Sequence, residues 1–145
     1  TKVVNDLERI GDEAKKIAKM AKRIHEADAG FVPRIEMRHA AGLAANMLHK
    51  ALDAFARLDV HAAAGVVRED AEVDREFKAI MRQLITFMME DPRTISSSIE
   101  ILFIAKSIER IGDHAKNMSE YVIYLVKGRD VRHTGVDEIV REAST

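Results

Sequence analysis

The sequence has no cysteine and no tryptophan, only two prolines, seven glycines and 5% aromatic residues. Without thiols there can be no disulfide, thiolate metal site, iron–sulfur cluster or cysteine nucleophile, which suits a reducing cytosol. Charge of one sign is also missing. Lys and Arg number 23 against 24 Asp and Glu, a net charge of -1, so a protein that coats DNA or RNA is not expected. No apolar run approaches the roughly 20 residues of a membrane-spanning helix. The best candidate, 99–105, is interrupted by Glu100, and the opening stretch is amphipathic rather than signal-like.

What is present points to helix. Hydrophobic residues make up 47% and charged residues 32% of the 145 positions. That is enough apolar material for a core, in the composition of a helical chain. The length accommodates one domain, or one domain and a piece of another. Apolar residues recur at alternating steps of three and four, the period of a bundle helix. The first run covers about 2–27, with Val3, Leu7, Ile10, Ala14, Ile17, Ala21 and Ile24 inward and Gly30 placed to cap it. The second starts near Pro33, a residue suited to a first helical turn. It reaches Leu58 with Met37, Ala40, Ala44, Met47, Ala51, Phe55 and Leu58 inward. The third, about 60–90, is carried by Val66, Val73, Phe77, Ile80, Leu84 and Phe87 and stopped by Asp91-Pro92. The fourth runs from about Thr94 to Lys127 on Ile101, Ile104, Ile108, Ile111, Ala115, Met118, Val122 and Leu125, and Gly128 ends it. A short helix is expected around 136–141. Short connections make neighbours antiparallel, packed near +20°. No stretch alternates at period two, so no strand is expected. The fold class is all-α, an antiparallel bundle of four long helices.

One block occurs twice. Leu7-Glu8-Arg9-Ile10-Gly11-Asp12-Glu13-Ala14-Lys15 returns as Ile108-Glu109-Arg110-Ile111-Gly112-Asp113-His114-Ala115-Lys116, an offset of 101 residues (108 less 7). The seam positions match, but so do Glu, Arg, Gly and Asp, which a shared seam does not require. Two helices precede the later copy. If the earlier copy also closes a three-helix unit, two helices, about 90 residues, stand upstream of residue 1. The expected organisation is the last helix of an incomplete unit in 1–30, a complete three-helix unit in 31–128, and a tail in 129–145.

At about 100° per residue, Glu8 and Asp12 lie roughly 160° from the first seam, and Glu109 and Asp113 lie similarly opposite the fourth. Each pair is spaced i, i+4 on one face. Such pairs are ordinarily solvated surface, with Lys16 in reach of Asp12 or Glu13, and like charges at this spacing repel. Their recurrence in one register points instead to a site for a hard cation such as Fe, Mn, Mg or Ca. The third helix adds Asp70, at a seam position, and Asp74. A buried unpaired carboxylate costs several kcal/mol, so Asp70 needs a cation, a donor or a frayed edge. Asp70, Asp74, Glu109 and Asp113 converge if the helix edges are rotated suitably, which a helical wheel does not decide.

These residues carry a resemblance. The doubled Glu-Arg-Ile-Gly-Asp block, together with Glu69-Asp70-Ala71-Glu72-Val73-Asp74 followed by Phe77, resembles the PhoU family of phosphate-signalling regulators from Thr1 to about Lys127. The resemblance implies tandem three-helix bundles with multinuclear iron or zinc clusters held on the surface by E/D-x-x-x-D motifs. Carried onto this sequence, the metal ligands are Glu8 and Asp12 for the first unit, and Asp70, Asp74, Glu109 and Asp113 for the second. The partners of Glu8 and Asp12 are expected on the two helices that would stand upstream of residue 1. No catalytic residue and no chemistry on phosphate is implied. The implied role is negative regulation of the phosphate-starvation response. The protein would be an adaptor between a membrane sensor histidine kinase and the ATPase of a phosphate ABC transporter. It would be cytoplasmic, reaching the membrane only through those partners.

Other features are weaker. Glu36 and His39 give one E-x-x-H spacing; a carboxylate-bridged metalloenzyme or iron-storage bundle, the alternative reading, needs two, pointing inward. His114 is expected on the surface, Ser96-Ser97-Ser98 as polar helix surface, and Met81, Met88 and Met89 as core filler. Gly11 and Gly112 each cost about 1 kcal/mol inside a helix, for which close backbone approach is the expected reason. Arg9 and Arg110 are placed to hold a carboxylate between units. No Gly-rich phosphate loop is present, which counts against direct nucleotide or kinase activity. A first helix without its unit exposes an apolar stripe, so a homodimer is expected.

Overall fold

A computed structural model describes residues 2–26 and 31–128. Gly30 and the helix expected at 136–141 lie outside them. Four helices follow one another: α1 (Lys2–Glu26), α2 (Arg38–Arg57), α3 (Val60–Glu90) and α4 (Ile95–Lys127), with a 3-10 turn at Pro92–Thr94. Among the described residues there is no strand.

The breaks have local causes. α2 ends at Leu58, which takes the left-handed conformation at φ 52° while the Asp59 N–H donates to the Ala54 carbonyl. Asp59 then caps α3, its carboxylate accepting from the Ala62 N–H at 3.0 Å. At the far end Asp91 accepts from the Arg93 N–H at 3.0 Å, and Pro92 opens the 3-10 turn. α4 closes on Gly128 at φ 70°, a conformation glycine adopts without strain.

α4 is the shared element: α1, α2 and α3 all pack on it, and α2 also packs on α3. α1 runs antiparallel to α4. Asp6 meets His114, Glu13 meets Arg110 and Arg23 meets Glu100 along its length. One core region joins Met47 and Ala51 of α2, Val66 and Val73 of α3, and Ala115 and Met118 of α4, with Val3 and Ile10 of α1 on its edge. Another joins Ala40, Ala44, Ile80, Leu84, Ile101, Ile104 and Ile108, with Met20 of α1. The alanines of α2 let that helix approach closely, as its sequence suggests.

Several details differ from expectation. α2 starts at Arg38, not near Pro33. Val32, Ile35 and Met37 instead pack their side chains against the core as non-helical chain. The inward face of α1 is turned: Leu7, Ala14 and Ala21 are exposed, whereas Glu13 and Met20 are buried. α1 meets neighbours along only part of its broad apolar face. Phe55, Leu58 and Leu125 are exposed rather than inward. Ser97 and Ser98 are buried, not surface residues; small side chains let neighbouring helices close in. Met89 is 80% exposed and fills no core.

Candidate metal centre

α3 and α4 bring carboxylates from two i, i+4 pairs to one seam. Asp70 and Asp74 lie one turn apart on α3; Glu109 and Asp113 lie one turn apart on α4. Gly112 is buried on this seam. A Cβ at Gly112 would stand 3.5 Å from Val73 Cγ1 and 3.7 Å from Asp70 Oδ1. These are ordinary van der Waals contacts, and at Gly11, its counterpart in the earlier block, a Cβ would meet nothing within 4 Å, so close backbone approach explains neither glycine.

Asp70, Asp74 and Asp113 each offer a carboxylate oxygen, and these atoms lie within 4.8 Å of one another. Asp70 is 5% exposed. Its Oδ2 stands 3.7 Å from the Lys116 ammonium, while its buried Oδ1 has no hydrogen-bond partner. Burial, and then the charge of Asp113, push the Asp70 carboxyl from 3.8 up to about 6. Burial first, then neighbouring carboxylates, hold Asp74 and Asp113 above the ordinary range too. Lys116 and Lys106 are two ammoniums against the four carboxylates of Asp70, Asp74, Glu109 and Asp113, and like charges this close disfavour joint ionisation. An oxygen-only donor set with an orphaned buried oxygen suits a hard cation better than zinc, which favours nitrogen and sulfur.

The other expected ligands are placed differently. Glu109 adjoins the cluster and repels Asp74 and Asp113, but the Lys106 ammonium ion-pairs with it. Neither Glu109 nor Asp113 faces away from the core, as the wheel predicted; α3 covers that side of α4, leaving both only partly exposed. Glu8 and Asp12 are exposed and belong to no such cluster among the described residues.

The wheel also missed two residues between α1 and α4. Glu13 is buried, paired with Lys16 at 3.4 Å and Arg110 at 3.8 Å. Arg110 thus does hold a carboxylate between the two copies, as its position suggested. His114 is not a plain surface residue; its Nδ1 lies 2.9 Å from Asp6 Oδ1. Glu13 and His114 occupy the one position at which the two blocks differ in chemical character, Leu7 and Ile108 being the other, conservative difference, and that is the signal that marks them. Glu36 is exposed, and His39 reaches Glu76 at 3.7 Å, apart from the carboxylate cluster.

Comparison with known proteins agrees with this architecture. Residues 37–122 match the family model of the PhoU domain. The chain is 51% identical over 144 residues to the Pseudomonas putida phosphate-specific transport system accessory protein PhoU homolog, covering 98% of this chain and 56% of that protein. It is 46% identical over 142 residues to the PhoU protein of Escherichia coli K12, covering 96% and 57%. The crystal structure of PhoU from Pseudomonas aeruginosa superposes with a TM-score of 0.82 at 50% identity, covering 88% of this chain and 61% of that one. The chain therefore spans a little over half the length of the curated relatives it matches. These relatives are accessory proteins of phosphate transport, not enzymes. On its sequence and its helical architecture together, this chain belongs to the PhoU family.

Proposed function

We propose that the chain is a metal-binding adaptor of phosphate transport that restrains the phosphate-starvation response. It would link a phosphate ABC transporter ATPase to a membrane sensor histidine kinase from the cytoplasmic side. The observation that carries the metal part is the orphaned, buried Asp70 Oδ1 inside a group of three carboxylates. Asp70, Asp74 and Asp113 would hold the ion, with Glu109 beside them. The family resemblance favours iron or zinc; the all-oxygen donors favour iron of the two. A bound cation would neutralise the cluster and offer positive charge to an acidic group of a partner. The names of the relatives support the transport link, and the partly exposed seam supports a surface role. No helix of the described residues is long and apolar enough to cross a membrane, which fits contact through partners.

The test is elemental analysis of protein purified without chelator, beside Asp70→Asn and Asp113→Asn. Bound iron in the parent and its loss in both variants are expected, with weaker capture of the transporter ATPase and the kinase. Metal-free parent protein, or undiminished metal in the variants, refutes the reading. Val4 and Leu7 leave an apolar stripe on α1, which supports the homodimer; sedimentation as a monomer at every concentration would refute that.

A further inference from the structure

A second charged feature lies between α1 and α4, built from residues the metal reading leaves unused. Lys2, Arg9, Lys16 and Arg23 recur at steps of seven along α1, and all four are exposed. Steps of seven keep side chains on one side of a helix. Toward the end of this stripe, Lys16, Lys19 and Arg23 face Phe103 and Arg110 of α4 across a cleft of about 350 Å³ with Met20 among its lining residues. That size falls within the range of about 300–1,000 Å³ typical of small-ligand sites.

The cleft carries net positive charge. No carboxylate of the described residues lines it. Behind it, Glu13 engages Lys16 and Arg110, and Glu100 engages Arg23 at 3.7 Å. Lys106 contributes to the wall, but its ammonium is held by Glu109. Lys16, Lys19, Arg23 and Arg110 thus stand against two carboxylates, and Lys19 makes no ion pair among the described residues. Glu13 fixes Lys16 and Arg110 at the cleft instead of cancelling them. Beside these cations Phe103 is 53% exposed, an open ring in a chain with few aromatics. Cationic side chains forked around an anion, with a ring on which a flat group can stack, suit a phosphorylated ligand bearing a base. A bare phosphate would leave Phe103 uncovered.

We propose that this cleft binds a nucleotide, its phosphates among Lys16, Lys19, Arg23 and Arg110 and its base against Phe103. The site binds without hydrolysing; no bond is made or broken. It is separate from the carboxylate seam of α3 and α4, and neither proposal depends on the other.

Isothermal titration of the chain in EDTA, which keeps metal bridging at the carboxylates out of the measurement, tests it with ATP, tripolyphosphate, adenosine and hexaglutamate. ATP should bind most tightly and weaken as salt is raised. Lys19→Ala and Phe103→Ala should each weaken ATP about tenfold, with Phe103→Ala leaving tripolyphosphate unchanged. Both side chains are exposed, and circular dichroism checks that the variants fold. Four results would overturn the proposal: no ATP binding at millimolar concentration, ATP binding untouched by both variants, tripolyphosphate binding as tight as ATP, or hexaglutamate binding tighter than ATP.

Discussion

The same nine-residue block stands on α1 and on α4, and its surroundings give the two copies different physics. On α4 the glycine is buried beside α3, the acidic pair meets Asp70 and Asp74, and the alanine is fully buried. On α1 the glycine touches nothing, Glu8 and Asp12 are solvated, and the alanine is exposed. The acidic motif is therefore a half-site. It becomes a cluster only where a neighbouring helix supplies the other carboxylates, and burial then changes its titration.

Matched changes in the two copies test that contrast. The largest effect belongs to pH. Asp70 titrates near 3.8 unfolded and about 6 folded. Between those values the folded chain binds more protons, so stability falls as pH rises through that window and the whole cost is present above it. At about 1.4 kcal/mol per pH unit, metal-free protein should lose about 3 kcal/mol. Asp74 and Asp113 add in the same direction. Urea melts from pH 4 to 7 should show this decline, and Asp70→Asn should largely remove it; a parent that gains stability over the window breaks the account.

Next comes metal affinity. Asp113→Asn should weaken binding about a hundredfold by removing a charged ligand, whereas Asp12→Asn should leave it unchanged in the same titration. Equal losses would mean that both copies are complete sites. Third, Ala115→Leu should cost about 2 kcal/mol by overpacking, and Ala14→Leu less than about 0.5 kcal/mol, read from melting midpoints. The smallest effect is at the glycines. Gly11→Ala and Gly112→Ala should each stabilise by about 1 kcal/mol through helix propensity, the Gly112 Cβ entering ordinary van der Waals contact with Val73 and the Gly11 Cβ meeting nothing.

Much of this was legible beforehand. The heptad spacing located α3 and α4 to within a residue or two, because Asp59, Asp91-Pro92 and Gly128 end or cap helices through their own backbone chemistry. The repeat singled out the acidic positions, and Asp70 betrayed itself as a carboxylate on an apolar seam. What spacing does not encode is which side of a helix a neighbour occupies. Glu109 and Asp113 read as outward for that reason, and α1 was assigned an apolar face that no described helix fully covers. Pro33 permitted a helix start that Val32, Ile35 and Met37 override by packing as irregular chain. Glu13 looked like surface because the ion pair that buries it comes from α4, 97 positions away (110 less 13).

Arg110 and Asp113 sit within one turn of α4, the first at the nucleotide cleft and the second at the carboxylate seam. The two sites lie on opposite flanks of a helix that every other described helix touches, and charge on one flank acts on the other, less so as salt is raised. Loading a cation on one flank raises the potential on the other, where an anion would gain. By thermodynamic reciprocity that anion would tighten the hold on the cation in equal measure, so both occupancies would rise and fall together without the bundle changing shape.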